Sequence, residues 1–280
     1  MNTLLVKKHL EHFLIEDLGE LDASSESAIS KEAYGKARII AKANGIMAGG
    51  ELWSIGYELL DPTISVNVLV QEGEAFQKGD TIALLEGKII ALLAGERVLL
   101  NLVQRMSGIA TMTHTAINVL GDEQIRICDT RKTTPGLRMF EKYAVRCGGG
   151  FNHRRGLSDA VMLKENHLLA CGGIKSAVAT VRSNVGHMVK IEVETTNEEE
   201  VIEAVEANAD VIMFDNATPE EVKRYRAIVP ESIITEASGG ITLDNLASYR
   251  NTGVHYISLG CLTHSVKATD LSFLLEEERS

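Results

Sequence analysis

Cysteine pairs, surplus positive charge and long apolar runs are all lacking in this chain, and each absence removes a class of function. Only four cysteines occur in 280 residues, Cys128, Cys147, Cys171 and Cys261, far apart and with no CxxC pair. Such spacing argues against a zinc knuckle or a disulfide framework and suits a reducing, cytoplasmic setting. Lys and Arg number 28 against 39 Asp and Glu, a formal net charge of −11. That balance disfavours a general nucleic-acid binder while leaving room for a local basic site. No apolar run is long enough to span a bilayer. The opening MNTLLVKKHLEHFLIEDLGE reads as an amphipathic pattern interrupted by charge, without a signal-peptide core or cleavage site. A GxGxxG turn after a first strand is also missing, which weighs against a doubly wound dinucleotide fold.

What the chain does have is enough apolar sequence, 45%, to bury a sizeable core as one large domain or two. Residues 1–115 and 116–269 read differently. The first part opens with a helical pattern. Then come β-like segments at KARIIAKANG, TISVNVLVQEGEAF and TIALLEGKIIALL, with a helical ELWSIGYELL between the first two. Alternation of Ile64, Val66, Val68 and Val70 marks a half-buried strand. GEAFQKGDTIALLEGK resembles the hairpins of biotinyl and lipoyl carriers but lacks their modified-lysine tripeptide, so it is assigned to the scaffold. A long helix is expected from about Gly95 to Leu120.

Beyond it, six short apolar runs alternate with helical stretches: IRICD, AVMLK, MVKIEVE, ADVIMFD, SIITEAS and HYISLG. The helical stretches fall near 138–147, 175–185, 197–208, 219–228 and 242–251. Repeated β-then-α order implies parallel pairing and right-handed crossovers. The expected architecture is therefore α/β, an N-terminal α+β domain packed on a parallel βα-barrel, with residues 270–280 returning as a strand to the first domain. The runs end in Asp129, Lys164, Glu194, Asp215, Ser238 and Gly260, the strand ends where barrel active sites sit.

Charge is distributed unevenly. From Arg126 to Lys164 there are nine Lys or Arg against three Asp or Glu, which leaves 19 against 36, a balance of −17, for the rest. Like charges 4 Å apart repel by about 4 kcal/mol in an effective dielectric of 20. Such a cluster needs solvent or an anion to face. Asp129-Thr130-Arg131-Lys132-Thr133 follows IRIC and cannot continue a buried strand; it is a solvated loop or part of a site. Gly148-Gly149-Gly150 leads into His153-Arg154-Arg155, and arginines at such a loop bind carboxylate or phosphate bidentately. Lys164 at a strand end points into the barrel mouth or snorkels on the surface. Glu194 and Asp215 could hold Mg²⁺ or ribose hydroxyls, serve as an acid–base pair, or act as helix caps and salt-bridge partners. Ser238-Gly239-Gly240, before the expected helix TLDNLASYR, fits a phosphate loop. Arg97 falls in the expected first turn of the long helix, where it opposes the macrodipole unless it reaches an anion. Arg105 on the same face is read as exposed.

These blocks, in order, carry a resemblance. ERVLLNLVQRMSGIAT, DTRKTTPGLRMFEKYAVRCGGGFNHRRGLSDAVMLKENH, FDN, ASGGI and GCLTHS resemble the quinolinate phosphoribosyltransferases over nearly the whole chain. The resemblance implies an N-terminal sandwich with an incomplete, TIM-like βα-barrel. It implies condensation of quinolinate with phosphoribosyl pyrophosphate to nicotinate mononucleotide, pyrophosphate and CO₂, in NAD biosynthesis with Mg²⁺. Carried over by motif, Arg131, Lys132, His153, Arg154 and Lys164 line a cationic pocket, with Lys132, Lys164, Glu194 and Asp215 as catalytic groups. Glu194 and Asp215 face ribose hydroxyls and metal; Ser238, Gly239, Gly240 and Gly260 contact the 5′-phosphate, with His264 nearby. Arg97 matches an arginine donated across a homodimer. The family's N-terminal EDLGxGDxT is EDLGELDAS here, a departure outside the pocket motifs. A sister phosphoribosyltransferase using nicotinate, and a catalytically idle nucleotide-binding protein, are the competing readings.

Overall fold

Apolar alternation and helical periodicity place the elements, and the computed structural model, which describes residues 1–276, shows where they lie. In chain order they are α1 (Thr3–Leu18), α2 (Ala23–Ala28), β1 (Tyr34–Ala41), β2 (Gly45–Ile46), α3 (Glu51–Leu60), β3 (Ser65–Val68), β4 (Ala75–Phe76), β5 (Thr81–Lys88) and α4 (Ile89–Leu120). Next come β6 (Arg126–Cys128), α5 (Arg138–Cys147), β7 (Val161–Leu163), α6 (Glu165–Cys171), α7 (Ile174–Asn184), β8 (Ile191–Thr195) and α8 (Glu198–Glu206). The chain continues through β9 (Val211–Asp215), α9 (Pro219–Ile228), β10 (Ile234–Ser238), β11 (Tyr256–Ser258), α10 (Cys261–His264) and β12 (Leu271–Leu275). They divide into two units: residues 1–112 with 139–149 and the described residues from Val266 on, and residues 113–138 with 150–265.

The first unit is built on an antiparallel sheet in the order β12-β1-β5-β3. β12 returns from the far end of the chain to pair Leu271 with Ala41 and Leu275 with Ala37. Of the stretch expected to return, residues 277–280 lie outside the described residues. Two sequence expectations change here. IIALL is not strand: α4 begins at Ile89 and runs 32 residues. A short apolar run fits either period, and only its continuation into the helix decides. Arg97 therefore sits two turns inside α4 rather than in its first turn, and no macrodipole argument applies to it.

The other change concerns α5, expected within the barrel domain of residues 116–269, which belongs to the first unit except for Arg138. Phe140, Glu141 and Lys142 are buried. Phe140 packs edge-on against His9, ring centroids 5.7 Å apart. Arg105 is not an exposed cation: its Nε and Nη2 donate to Glu141 Oε1 at 2.8 and 2.6 Å. A buried carboxylate needs such a partner, which ties α5 to α4.

The second unit is a parallel sheet in the order β6-β11-β10-β9-β8-β7. All six short apolar runs are its strands, buried along Ile191, Val193, Ile212, Phe214 and Ile257. β6 and β7 are the two edges, and β6 also bridges Phe151 in parallel through Cys128. The sheet is consistent with an incomplete TIM-like barrel. The expected helix over 242–251 shrinks to a single 3₁₀ turn, Leu246–Tyr249. Asn245 explains the loss: its side chain accepts Thr242 N–H at 2.8 Å and donates to Gly240 O at 3.0 Å, closing a turn in place of a helical start.

Candidate active site

The C-terminal ends of the six parallel strands frame a cavity of about 370 Å³. It is lined by Arg131 and Lys132 after β6, His153 and Arg154, Lys164 after β7, Glu194 on β8, Asp215 on β9, and Ser238 and Gly239 at β10. Strand pairing brings them together: in the register, Glu194 lies opposite Met213 and Ser238 opposite Asp215. Residues 84 positions apart in sequence, such as Arg131 and Asp215, thus reach one mouth. Arg97, Gly240, Gly260 and His264 are not among the lining residues. Arg97 is on α4, with its nearest carboxylate, Glu96, 3.7 Å away. His264 ends α10, its Nδ1 2.6 Å from Ser265 Oγ.

The Arg131-Lys132 loop is pinned from both sides. Lys132 N–H donates to Thr130 Oγ1 at 3.0 Å, and Thr263 Oγ1 donates to Lys132 O at 2.7 Å. Gly260 adds contact: a Cβ there would come within 3.0 Å of Lys132 Cδ and 3.1 Å of His264 Cδ2. Arg154 is held by Nη1 donating to Ala160 O at 3.0 Å. Burial and the neighbouring Arg131 lower the Arg154 guanidinium from its ordinary value, against a smaller pull from Glu192. Two cations held together in this way are complementary to an anion with spaced oxygens. Arg155 is not among the lining residues, and its backbone N–H donates to Asp159.

Across the mouth, Lys164 Nζ pairs with Glu194 Oε2. Burial first, then Glu194, raises the Asp215 carboxyl above the usual aspartate value, opposed by Lys164 and Lys132. A carboxylate pair in mutual repulsion is a place where a cation or a hydroxyl donor lowers the energy. At β10, Gly239 has φ +84° and Gly240 φ +64°. A Cβ on Gly239 would lie 2.4 Å from Asn216 Oδ1. Only glycine fits, and the amides of this turn, with no helix behind them, are what the loop offers an oxyanion.

The structure adds residues that the sequence reading passed over. Met162, Met213, Glu236 and Ser258 also line the cavity, and buried Glu192 lies beneath it, 3.2 Å from His153. Each stands two positions before a strand-end residue singled out from sequence: Lys164, Asp215, Ser238, Gly260 and Glu194. Strand alternation puts i and i−2 on one face, so that rule, applied inward from the ends, would have found them.

Family models match both halves of the chain: the quinolinate phosphoribosyl transferase N-terminal domain over residues 22–107 and its C-terminal domain over 109–274. The chain belongs to the quinolinate phosphoribosyltransferase family. Among relatives of this family, a Bacillus subtilis (strain 168) protein described as a probable carboxylating nicotinate-nucleotide pyrophosphorylase is 54% identical over 97% of this chain and 94% of its own. A Synechocystis protein of the same description is 43% identical, covering 91% of this chain and 87% of its own. The crystal structure of NadC from Streptococcus pyogenes superposes with a TM-score of 0.95 at 35% identity, over 99% of both chains. The fold that carries the cavity is thus a quinolinate phosphoribosyltransferase fold from end to end.

Proposed function

We propose that this chain joins quinolinate to phosphoribosyl pyrophosphate, releasing pyrophosphate and CO₂ to give nicotinate mononucleotide for de novo NAD synthesis. The reaction is that of a decarboxylating pentosyltransferase. The observation that carries the reading is the mouth of the second unit, where Arg131, Lys132, Arg154 and Lys164 face one cavity together with Glu194 and Asp215. Quinolinate brings two adjacent carboxylates; its partner brings a 5′-phosphate and a pyrophosphate. Desolvating those charges without cations costs several kcal/mol each. In this reading Arg131 and Arg154 take the two carboxylates, and the Ser238-Gly239-Gly240 turn takes the 5′-phosphate.

Nucleophilic attack of the pyridine nitrogen on ribose C1 displaces pyrophosphate through an oxocarbenium-like state. Asp215 and Glu194 face the positive sugar, while Lys132 and Lys164 answer the departing pyrophosphate. The new bond makes the ring a pyridinium. CO₂ then leaves C2 with its bonding electrons staying on carbon, stabilised by the adjacent cation, and C2 takes a proton from solvent. No general base is required for this sequence, and orientation with electrostatics does the work.

Glu194 and Asp215 would hold Mg²⁺: two hard oxygen donors, the second raised by burial and then by the first, gain from a cation beside them. Held there, Mg²⁺ would supply charge neutralisation for a pyrophosphate leaving group. A homodimer with Arg97 donated across the interface would add a further cation to the pocket, and the cytoplasm is the compartment that suits four free cysteines. No described helix is long and apolar enough to cross a membrane.

The test mixes purified protein, Mg²⁺, phosphoribosyl pyrophosphate and quinolinate, and follows pyrophosphate, CO₂ and nicotinate mononucleotide. Product from nicotinate and none from quinolinate would overturn the reading. Mixing inactive Arg97→Ala and Lys164→Ala subunits tests the shared site: exchange without recovery of activity removes Arg97 from a partner's pocket.

A further inference from the structure

Beneath the His153-Arg154 step lie carboxylates that the reaction above does not use. Glu192 on β8 and Glu236 on β10 are 6% and 5% exposed. Barrel interiors are normally filled by Val, Ile and Leu, and a carboxylate in that position is costly unless it is paired. Here one ring faces both, and the Ser258 hydroxyl also sits against Glu236. His153 Nε2 lies 3.2 Å from Glu192 Oε2 and 3.6 Å from Glu236 Oε2. On the other side, His153 Nδ1 accepts the backbone N–H of Arg154 at 2.7 Å.

An accepting nitrogen carries no proton, so the ring is neutral with its hydrogen on Nε2, and Glu192 is the nearer acceptor. Both nitrogens are then committed within the protein, and His153 itself offers quinolinate no free nitrogen. The step is fixed at its backbone as well: Asp129, fully buried, accepts His153 N–H at 2.9 Å and Asn152 Nδ2–H at 2.6 Å. Arg154, one residue on, lines the cavity.

We propose that Glu192, backed by Glu236, is a positioning residue for quinolinate: it locks the His153 tautomer, the tautomer holds the Arg154 amide, and the Arg154 guanidinium is thereby aimed at the substrate. The last link rests on Arg154 binding quinolinate, as proposed above. One His and two Glu within 4.8 Å also have the composition of a divalent-metal site. A metal on Nε2 would need the ring proton on Nδ1, which instead accepts the Arg154 N–H, and Nε2 is within hydrogen-bond reach of Glu192 at 3.2 Å, so the geometry favours the proton.

The experiment has three arms. In wild-type protein labelled with ¹⁵N-histidine, the ring resonances of His153, assigned by their loss in His153→Asn, should show Nε2 protonated and Nδ1 bare at neutral pH. A Nδ1–H ring or an imidazolium overturns the proposal, whatever the pocket binds. Steady-state kinetics then compare Glu192→Met, which removes the acceptor at similar volume, with Glu192→Gln, which keeps one. Loss of a charged hydrogen-bond acceptor predicts that Glu192→Met raises the quinolinate KM about tenfold or more, with kcat and the phosphoribosyl pyrophosphate KM within about threefold. Glu192→Gln should restore most of the quinolinate KM. A quinolinate KM unchanged in folded Glu192→Met overturns the proposal. If Glu192→Met does not fold, the ring resonances of the wild type still decide. Finally, protein dialysed against Zn²⁺ or Mn²⁺ is analysed for metal: one ion per chain, lost in Glu192→Gln, would replace the hydrogen-bonded unit with a metal centre, and no retained ion supports it. Wild-type protein that fails to bind quinolinate at all would defeat the proposed function while leaving the tautomer measurement to stand or fall alone.

Discussion

Asp129 Oδ1 accepts the backbone N–H of His153 at 2.9 Å, joining the end of β6 to a loop 24 residues later. The same carboxylate takes Asn152 Nδ2 at 2.6 Å from a fully buried position. Removing it strands two donors. At about 1–3 kcal/mol for each unsatisfied buried group, Asp129→Ala should lose about 2–6 kcal/mol of stability in urea unfolding. Asp129→Asn keeps one acceptor oxygen and should lose less. Equal midpoints for Asp129→Ala and the wild type would show that the two loops are held by other contacts.

Burial, then the neighbouring Arg131, lowers the Arg154 guanidinium from its ordinary value, and an anion between the two cations relieves their repulsion. Replacing Arg131 with Ala should therefore reduce kcat/KM for quinolinate about 10- to 100-fold, the worth of one hydrogen-bonded charge. Arg131→Lys keeps the charge but loses the bidentate fork, and should recover only part of that. Titration of initial rates against quinolinate at saturating phosphoribosyl pyrophosphate measures both.

Gly239 cannot be replaced without cost. Its φ is +84°, and a Cβ would meet Asn216 Oδ1 at 2.4 Å. Gly239→Ala should destabilise the protein by about 1–3 kcal/mol and raise the KM for phosphoribosyl pyrophosphate more than that for quinolinate. Equal rises in the two constants would remove this turn from the phosphate side of the pocket.

The floor of the barrel gives a pH signature. Burial, reinforced by Glu192, raises the Glu236 carboxyl above its ordinary value of 4.5. The folded protein then holds a proton that the unfolded chain releases, so this contribution is complete below 4.5 and is lost as pH rises through the folded-state value. Glu236→Gln cannot lose that proton. Thermal midpoints should fall less steeply in Glu236→Gln than in the wild type between pH 4.5 and about 7. Parallel curves would show that Glu236 titrates alike in both states.

Much of this molecule is written in short-range patterns. Six β-branched runs with polar ends were enough to place β6 to β11 and to name Lys164, Glu194, Asp215 and Ser238 as the residues at one end of a parallel sheet. That inference works because strand period and parallel handedness leave few arrangements. The helical start of IIALL was not legible, since five apolar residues fit either period and their continuation decided. Nor was the fate of α5, whose cations on paper belong to the basic block. Glu141 answers Arg105 at 2.6 Å, and no local pattern announces a partner 36 residues away.

By itself, then, the sequence determined the repeated β–α order, the cations that reach the mouth and the glycines that turn beside it, because these depend on neighbours along the chain. Tertiary structure alone decided that β12 closes the first sheet and that the basic block divides between two units. It also decided that His153 spends both nitrogens on Arg154 and Glu192. Burial makes that difference: a carboxylate such as Glu192 must find its donor in space, and that donor is settled only when β8 lies beneath the loop carrying His153.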